Sequence, residues 1–381
     1  MTTLLTLKVL PVETSGLRQE FIRFPYALYA NDAKWVPPLE FERRQHIGPH
    51  NPYFKHARWR AWVARRGERT VGRISAQIDS LHLLWQDRAT GFFGLLEAED
   101  DSEVFAALLE AARTWLYDQG LRRIMGPFNF SINDESGLLV EGFDTPPSVM
   151  MGHAPPYYAA ALERLGYTPA QDLLAYRLAT DFEVPPGMRA LSAKQGDRLR
   201  LRTLRRARKM QDFGILREIY NDAWSENWNY IPFTEEEFNL LGRSLAPLID
   251  DDFVQIAEVD GEAVGMIVML PNLNELIRDL GGRLLPGGWL KLLWRLKTGC
   301  AQSARIPLMG IRKHYQNNLF GSLLAFAMID ALRQAARRRG IREVEMSWIL
   351  DTNTKMRSII ETLGGDCYKR YRIYEKMLDE A

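Results

Sequence analysis

The sequence has little of what marks a secreted, disulfide-stabilised or membrane-spanning protein. Its 381 residues include two cysteines, Cys300 and Cys367, which cannot form a disulfide framework or a metal site on their own. Residues 1–10 lack the basic region and the long apolar core of a signal peptide. No apolar run approaches the roughly 20 residues that a membrane-spanning helix needs. We therefore expect a cytoplasmic protein without a transmembrane helix.

Excess charge and clustered metal ligands are also lacking. The net charge of +1 gives no global argument for nucleic-acid binding, which needs a strongly basic surface. His46, His50 and His56 lie close together in sequence, but glycine and proline between them break the helix that would align them, and no carboxylate cluster joins them. We therefore expect solvated loop histidines, no metal and no nucleic-acid partner.

Length and composition indicate two globular domains. A chain of 381 residues is long for one hydrophobic core, and two domains are the natural division. The composition, with 46% hydrophobic and 25% charged residues, is typical of soluble globular proteins. Residues 181–187, rich in proline and charge, are the predicted linker. The predicted domains are therefore 1–180 and 181–381.

The stretch 306–350 organises the second half of the chain. Residues 306–311 are an apolar run of strand length, residues 312–318 are a polar break, and apolar residues then recur from Leu319 at helical spacing. Gly340 can end this helix before the apolar strand 341–349. The first N–H groups of a helix lack partners, so a phosphate held by residues 312–318 could accept hydrogen bonds from them. The alternative is an ordinary core unit of strand, helix and strand without a ligand.

The loop that precedes this helix resembles a known family motif. Tyr315-Gln-Asn-Asn-Leu-Phe-Gly-Ser-Leu-Leu324 is similar to the pyrophosphate loop of the GNAT acyltransferase superfamily, whose pattern is Gln/Arg-x-x-Gly-x-Gly/Ala. Gln316 and Gly321 match the pattern, whereas Leu319 stands where the first glycine belongs. The resemblance implies an acyl-coenzyme A donor and a direct attack without a covalent enzyme intermediate. It implies these cofactor-binding residues: Met309, Gly310, Ile311, Gln316, Asn317, Leu319, Phe320, Gly321, Ser322 and Asn353.

The first half follows the GNAT order of antiparallel strands, helix and strand, but it has no glycine loop. Acidic residues, among them Glu97 and Asp101, take that place and would repel a pyrophosphate. We therefore expect coenzyme A to bind to the second domain. The predicted fold class is α/β (α+β), with two tandem GNAT-like domains, each a mixed, mostly antiparallel sheet flanked by helices.

Residues 126–158 form a long polar stretch without a clear helical or strand period, which we interpret as an ordered flap lining a site. Gly126 to Phe143 and Pro155-Pro-Tyr-Tyr158 resemble the bacterial ceramide synthase group of the superfamily. That resemblance implies transfer of a fatty acyl group from its thioester to the amine of a sphingoid base. Candidate proton-transfer residues are His153, Glu135, Glu345 and Tyr157, and candidate substrate-binding residues are Asn129, Asn133, Tyr158, Asn227 and Trp228. For His153 and Glu135 a structural role is the alternative.

Residues 271–305 are an insertion relative to an ordinary GNAT domain. Within it, residues 284–297 combine Trp289 and Trp294 with leucines and basic side chains, a composition suited to a helix lying in lipid headgroups. This predicts peripheral contact with the cytoplasmic face of the membrane. The alternative is a helix that packs in the core. The expected partners are small-molecule and lipid substrates, and the sequence leaves both monomer and dimer open.

Two other functions compete with the acyltransferase hypothesis. One is a tandem GNAT that transfers aminoacyl groups to cell-wall peptides, which would need a transfer-RNA footprint. The other is a degenerate, non-catalytic binding protein associated with the membrane. This second alternative is suggested by Leu319 and by Ile360, which occupies the position where the family commonly has a tyrosine as general acid.

Overall fold

The computed structural model describes residues 6–183, 186–187, 194, 198–246, 248–299 and 301–378. Cys300, the first five residues and part of the predicted linker 181–187 lie outside the described residues. The chain divides into two compact units. The first comprises Met1–Leu173, Leu280–Leu284 and Lys369–Ala381, and the second comprises Leu174–Asp279 and Leu285–Tyr368. Residues 369–381, which we assigned to the second predicted domain, belong to the first unit.

The first unit contains a mixed sheet with the order β1-β2-β3-β4-β5-β15, and β8 also pairs with β15. Neighbouring strands are antiparallel except for β4 and β5, which are parallel. The elements are β1 (Leu7–Pro11), α1 (Ser15–Leu28), α2 (Glu40–His46), β2 (Ala57–Arg66), β3 (Arg69–Asp79), α3 (Ser80–Trp85), β4 (Thr90–Ala98), α4 (Ser102–Asp118), β5 (Arg123–Gly126), β6 (Phe128–Asn129), β7 (Glu135–Ser136), β8 (Leu138–Glu141), α5 (Tyr157–Arg164), residues 168–173 of β9 (Thr168–Ala179) and residues 369–377 of β15 (Asp366–Met377).

Local sequence explains how the helices of this unit begin. The Thr14 and Asp101 side chains accept hydrogen bonds from the first turns of α1 and α4, and each satisfies a backbone donor that would otherwise lack a partner. The face of α4 that the periodicity of the sequence predicts to be apolar is buried, including Val104, Leu108 and Ala112.

The second unit contains a sheet with the order β10-β11-β12-β13-β14, antiparallel except for the parallel pair β13–β14. The elements are β10 (Leu199–Thr203), α6 (Lys209–Ala223), α7 (Glu235–Leu245), β11 (Val254–Val259), β12 (Glu262–Pro271), α8 (Leu273–Ile277), α9 (Gly288–Thr298), β13 (Ser303–Ile311), α10 (Leu319–Arg338), β14 (Glu343–Leu350) and α11 (Thr354–Thr362). The mixed, mostly antiparallel sheets of both units confirm the predicted fold class.

The helix α10 connects the two parallel strands of the second unit and packs on their sheet. Its length and apolar composition would suffice to cross a membrane, but 56% of its most apolar stretch is buried inside the protein. A Cβ atom on Gly265 of β12 would meet the Met328 side chain at 3.2 Å, which shows how closely the helix approaches the sheet. The Arg337 and Arg338 side chains lie in its last turn, where cations favour the negative end of the helix dipole.

The polar stretch 126–158, which shows no clear strand period in the sequence, contains the short strands β6, β7 and β8. One sequence-based expectation about local structure is wrong. His46 and His56 are not solvated loop residues, because His46 packs on Phe130 at 4.4 Å and His56 Nδ1 lies 3.0 Å from Asp79 Oδ1.

Candidate active site

The two parallel strands of the second unit diverge beside the predicted cofactor loop. The register of β13 with β14 runs from Ser303↔Glu343 to Ile306↔Met346, although β13 continues to Ile311 and β14 to Leu350. On its other side β13 stays paired with β12 up to Ile311, with a register shift between Arg305 and Leu308. The strands therefore form a V whose vertex lies at the pair Ile306 and Met346.

The free edge of β13 offers backbone donors to the opening of this V. Arg312 N–H donates to Val264 O on β12 at 2.8 Å. Because inward and outward amides alternate along a strand, the N–H groups of Met309 and Ile311 point away from β12. The carbonyl groups of Met309 and Ile311 also point away from β12. Met309 O accepts a hydrogen bond from Trp224 Nε1 at 3.1 Å, and Ile311 O accepts one from Gln316 Nε2 at 2.7 Å. Gly310 faces α6, where a Cβ atom would meet the Ala223 side chain at 3.2 Å.

The start of α10 corrects our prediction that the N–H groups of residues 319–322 are all free. Gly321 N–H donates to Asn318 Oδ1 at 2.8 Å, and Ser322 N–H donates to Asn318 O at 3.3 Å. Among the described residues, no acceptor bonds the N–H groups of Leu319 and Phe320, as expected at the start of a helix. The Leu319 side chain is 68% exposed, so it points into solvent.

Close backbone packing explains the glycine of the loop. A Cβ atom on Gly321 would lie 2.1 Å from Tyr315 O, a distance that no side chain tolerates. The next residue, Gln316, donates to Ala223 O at 3.1 Å as well as to Ile311 O. Gln316 thereby ties the loop to the ends of α6 and β13, and Gly321 lets the loop lie against the helix.

Basic and polar groups surround the loop. Asn317 adopts a left-handed conformation with φ of 65°, and its Oδ1 accepts a hydrogen bond from Lys355 Nζ. Among the described residues, no carboxylate pairs with Lys355. The Phe320 ring packs on Tyr315 at 5.9 Å and lies under the Arg198 guanidinium at 5.8 Å. A loop beside helix N–H groups and an ammonium that no described carboxylate neutralises has the chemistry that an anion requires.

The remaining predicted residues of this unit lie at the ends of helices. Asn353 is exposed and caps α11, accepting a hydrogen bond from Met356 N–H at 3.2 Å. Ile360 is fully buried, so that position contributes to the core. Asn227 and Trp228 are half-buried in the turns after α6. Asn227 N–H donates to Trp224 O at 2.8 Å, which connects these turns to the residue that contacts Met309.

Glu345 belongs to a buried polar network near the vertex of the V. Its Oε1 accepts from Ser347 Oγ at 2.5 Å and lies 3.7 Å from Arg305 Nε. Its Oε2 accepts a hydrogen bond from the Tyr368 hydroxyl. Arg305 is fully buried and donates to Ser347 Oγ at 2.8 Å. Both oxygens of Glu345 therefore have partners in this structure.

The first unit has a similar V between β4 and β5, but its own chain fills it. The parallel register ends at Phe92↔Met125. Beyond it, a Cβ atom on Gly94 would lie 1.8 Å from Phe128 O. Leu95 N–H donates to Asn129 Oδ1 at 2.7 Å, so the predicted substrate residue Asn129 occupies a donor that a ligand would need. The chain of the first unit therefore closes its own V to a ligand.

Glu135 is held as an ionised carboxylate. Its Oε1 accepts from Arg43 Nη2 at 2.5 Å and its Oε2 accepts from Asn129 Nδ2 at 3.1 Å. Burial alone would raise its pKa, but the charge and hydrogen bond of Arg43 outweigh burial and lower the pKa to about 2. A carboxylate with so low a pKa is a weak base at neutral pH.

His153 differs from the other candidates because one ring nitrogen is unengaged. Its Nε2 lies 2.7 Å from Asp32 Oδ2, and its side chain is 4% exposed. Its Nδ1 is buried and has no hydrogen-bond partner among the described residues. Burial lowers the pKa of His153 below its usual value, and the neighbouring Asp32 only partly offsets that effect. A neutral imidazole that donates Nε2–H to Asp32 would keep Nδ1 as a proton acceptor.

The two tyrosines of the flap are tied to β4. The Tyr157 hydroxyl donates to Ala98 O at 2.8 Å, and the Tyr158 hydroxyl donates to Glu97 Oε2 at 2.9 Å. Burial, followed by the charge of Glu97, raises the pKa of both phenols. Asn133 lies in the turn before β7, where its N–H donates to Ser131 Oγ at 3.1 Å.

Several residues that shape these sites were not predicted from the sequence. Asp32, the partner of His153, lies 121 residues away along the chain, so no local pattern could connect them. Trp224 and Arg305 belong to no sequence motif that distinguishes them from other aromatic and basic residues. Asn318 could have been recognised, because asparagine directly before an apolar helical repeat is a typical helix cap.

Comparisons with known proteins give relatives along the whole chain. No family model matches the sequence. The chain is 47% identical over 375 residues to the bacterial ceramide synthase of Caulobacter vibrioides, covering 98% of both proteins. It is 48% identical over 359 residues to protein YghO of Escherichia coli, covering 94% of this chain and 92% of the relative.

The fold has solved counterparts at low sequence identity. A tandem GNAT protein from the clavulanic acid biosynthesis pathway superposes with a TM-score of 0.57 at 12% identity, covering 99% of this chain and 100% of that one. This likeness concerns the fold alone, whereas the full-length relatives show the family. The chain therefore has the fold of tandem GNAT proteins and belongs to the same family as the bacterial ceramide synthase of Caulobacter vibrioides.

Proposed function

We propose that this protein transfers a fatty acyl group from acyl-coenzyme A to the amine of a sphingoid base. The observation that carries the proposal is the open V of the second unit, with outward amides on β13 and a glycine-dependent loop at the start of α10. The relative in Caulobacter vibrioides is named a ceramide synthase, which supports this pair of substrates.

Residues of the second unit would hold the donor. The N–H groups of Leu319 and Phe320 and the ammonium of Lys355 would bind the diphosphate of coenzyme A, because all three are donors next to the loop. The outward amides of Met309 and Ile311 would donate hydrogen bonds to the thioester carbonyl oxygen as negative charge develops there. The amine nitrogen would attack the acyl carbon; the C–N bond forms as the C–S bond breaks, and coenzyme A leaves as a thiolate that takes up a proton from water.

The attacking amine must lose a proton, and His153 is the proposed acceptor. The other three candidates have their polar atoms engaged, and Glu135 is in addition a weak base. We propose that Nδ1 of His153 takes the proton while Asp32 holds the opposite side of the ring.

The proposed function is tested by incubating the protein with palmitoyl-coenzyme A and a panel of amines. The panel contains sphinganine, a short alkylamine, an amino-acid ester and a cell-wall peptide. We expect free thiol and N-acyl sphinganine in equal amounts by mass spectrometry. Thiol release without an amide, or an amide formed on the peptide instead of sphinganine, would contradict the proposal.

Lys355→Glu is expected to raise the KM for acyl-coenzyme A about tenfold and to leave the KM for the amine unchanged. The variant places a negative charge beside the loop, where it repels the phosphates of the donor. The effect should shrink at high ionic strength, because salt screens exposed charges. Lys8→Glu makes the same charge change at an exposed site of the first unit and should leave both constants unaltered. Equal effects of the two variants on the KM for acyl-coenzyme A would show that Lys355 does not bind the donor.

His153→Asn is expected to lower kcat by about 100-fold or more, the range typical for loss of a general base. Because burial lowers the pKa of His153 from its ordinary value, wild-type activity should fall as the pH drops through this lowered pKa. The residual activity of His153→Asn should not decline over this pH range. Asp32→Asn should move the decline to lower pH, because the carboxylate favours the protonated ring. A decline at an unchanged pH in both variants would rule out His153 as the base.

We also propose that α9 contacts a lipid surface. Trp289, Leu290, Leu293 and Trp294 share one side of the helix and are 43–63% exposed. Lys291 and Arg295 both pair with Asp279, which offsets part of their charge, so aromatic insertion should contribute more than charge. Trp289→Ser with Trp294→Ser should at least halve co-sedimentation with anionic liposomes. Phe41→Ser, at a residue 48% exposed, is the control, and equal sedimentation of all variants would refute the contact.

A further inference from the structure

We propose that Gly282, in the insertion, is a positioning residue that holds the pair of Asp32 and the proposed base His153 in place. The insertion 271–305 does not lie wholly within one unit, because residues 280–284 belong to the first unit and the residues on either side belong to the second. The first unit also contains Asp32 and His153. This inference rests on the proposed function, since it concerns the residue that would take the proton from the amine.

Gly282 lies in close contact with α1 and with the segment that follows it. Its backbone has a φ of 77°, a conformation that disfavours residues with a side chain. A Cβ atom on Gly282 would lie 2.3 Å from Tyr26 Cε1 and 2.8 Å from Pro38 O. The carbonyl of Gly282 accepts a hydrogen bond from Glu40 N–H, at the start of α2, at 2.9 Å. A side chain at position 282 would therefore displace Tyr26 and Pro38.

The contact at Gly282 is connected to Asp32 through Tyr26 and Trp35. The Tyr26 hydroxyl donates to Pro38 O at 2.5 Å, and the Tyr26 ring meets the Trp35 ring edge-on, with centroids 5.4 Å apart. Trp35 N–H donates to Asp32 O at 3.2 Å. Asp32 Oδ1 accepts from Lys34 N–H at 2.8 Å, so the same turn sets the direction of the carboxylate. A shift of Tyr26 therefore moves the turn that holds Asp32.

Trp35 also reaches His153 through Tyr29. The Trp35 and Tyr29 rings stack with centroids 5.1 Å apart, and the Tyr29 ring meets the His153 ring at 5.5 Å. The Tyr29 hydroxyl donates to Glu97 Oε2 at 2.5 Å, which anchors the far end of this ring. Asp32 and Tyr29 thus contact His153 from two directions, and both of them contact Trp35.

The charges around His153 make its protonation a sensitive measure of where Asp32 lies. Burial lowers the pKa of His153, Asp32 partly offsets this effect from 2.7 Å, and the ammonium of Lys369 lowers the pKa further. Lys369 Nζ donates to the carbonyls of Gly142 and Thr145, so it is held outside the segment 29–40. If Asp32 moves away from the ring, the pKa of His153 must therefore fall further.

Gly282→Ala tests the contact, and Gly281→Ala is its matched control. Gly281 is also left-handed, with a φ of 57°, but a Cβ atom there meets nothing within 4 Å. Both variants carry backbone strain, and only Gly282→Ala displaces its neighbours. With palmitoyl-coenzyme A and sphinganine, Gly282→Ala should lower kcat about tenfold, because small displacements of positioning elements slow the reaction. The KM for the donor should stay within about twofold of wild type, and Gly281→Ala should keep both constants.

A double variant shows whether Gly282 acts through Asp32. Residues of one network have non-additive effects, so Gly282→Ala should lower kcat by less than about twofold when Asp32→Asn is already present. In the single variant, the decline of activity in acid should move to lower pH, as it does in Asp32→Asn. A tenfold loss in both backgrounds with an unmoved decline would show a general structural role and overturn the proposal.

Tyr26→Phe provides a milder variant in case Gly282→Ala does not fold. It removes the hydroxyl that donates to Pro38 O and keeps the ring. We expect about a threefold loss in kcat and a decline of activity that again moves to lower pH. Tyr26→Phe with the kcat and pH profile of wild type would contradict the proposal.

Titration of the His153 imidazole by NMR, assigned with His153→Asn, needs no substrate and therefore separates this inference from the function. If the pKa of His153 falls in Gly282→Ala but not in Gly281→Ala, while wild-type protein forms no amide, Gly282 positions the pair and the proposed function fails. If wild-type protein acylates sphinganine and Gly282→Ala keeps both the wild-type kcat and the wild-type titration, the function stands and this inference is wrong.

Discussion

Replacing Gly321 by alanine is expected to lower kcat/KM for acyl-coenzyme A by about 100-fold or more. The added Cβ atom would lie 2.1 Å from Tyr315 O, so the loop must move away from the start of α10. Gln316, which follows Tyr315, would then lose its alignment with Ala223 O and Ile311 O. A displacement of about 1 Å in a positioning element can cost a hundredfold in rate. Steady-state kinetics with varied acyl-coenzyme A measure the effect.

Gly214→Ala is the matched control for this substitution. Gly214 lies in α6, and a Cβ atom there meets nothing within 4 Å. The control should keep wild-type kinetics and gain up to about 1 kcal/mol of helix stability. A Gly321→Ala protein that binds and turns over the donor like Gly214→Ala would show that the loop does not hold the diphosphate.

Arg43→Met is expected to reduce the free energy of unfolding by about 3 kcal/mol. The substitution leaves Glu135 without its cationic partner in a largely buried position, and breaking such a pair typically costs 3–5 kcal/mol. Arg43 and Glu135 are each 20% exposed, so we expect the lower end of that range. Thermal unfolding at pH 7 provides the measurement. Arg44→Met is the control, since Arg44 on the same helix is 51% exposed and should contribute less than 1 kcal/mol.

The same ion pair predicts a dependence of stability on pH. The pKa of Glu135 is lowered from 4.5 to about 2 on folding, so its contribution is fully present above pH 4.5 and is lost as the pH falls towards 2. The difference in stability between wild type and Arg43→Met should therefore shrink over this interval. Adding Glu135→Gln to Arg43→Met should recover part of the loss at pH 7. A constant difference from pH 7 to pH 2 would show that Glu135 does not depend on Arg43.

Local sequence patterns predicted the framework of the second unit well. The apolar repeat from Leu319 identified α10, because the buried face of a helix is encoded by neighbouring residues. Length and composition suggested two domains. The strand and helix order then supported the resemblance to the GNAT fold.

Features that depend on distant residues escaped prediction. The pairing of β15 with β5 brings together residues about 250 positions apart, and no local pattern encodes such a partner. Asn129, which we predicted to bind substrate, accepts a hydrogen bond from Leu95 N–H and so lies inside the V between β4 and β5. The ion pair of Glu135 with Arg43 likewise spans 92 positions, so the sequence could not show that this ionised carboxylate is already paired with an arginine.

The most direct test of the account is the number of donor molecules that bind to one chain. The open V of the second unit and the self-filled V of the first predict one palmitoyl-coenzyme A per chain by isothermal titration calorimetry or native mass spectrometry. That binding should disappear in Gly321→Ala. Two molecules per chain, no binding at saturating donor, or one molecule that still binds to Gly321→Ala would contradict the central claim.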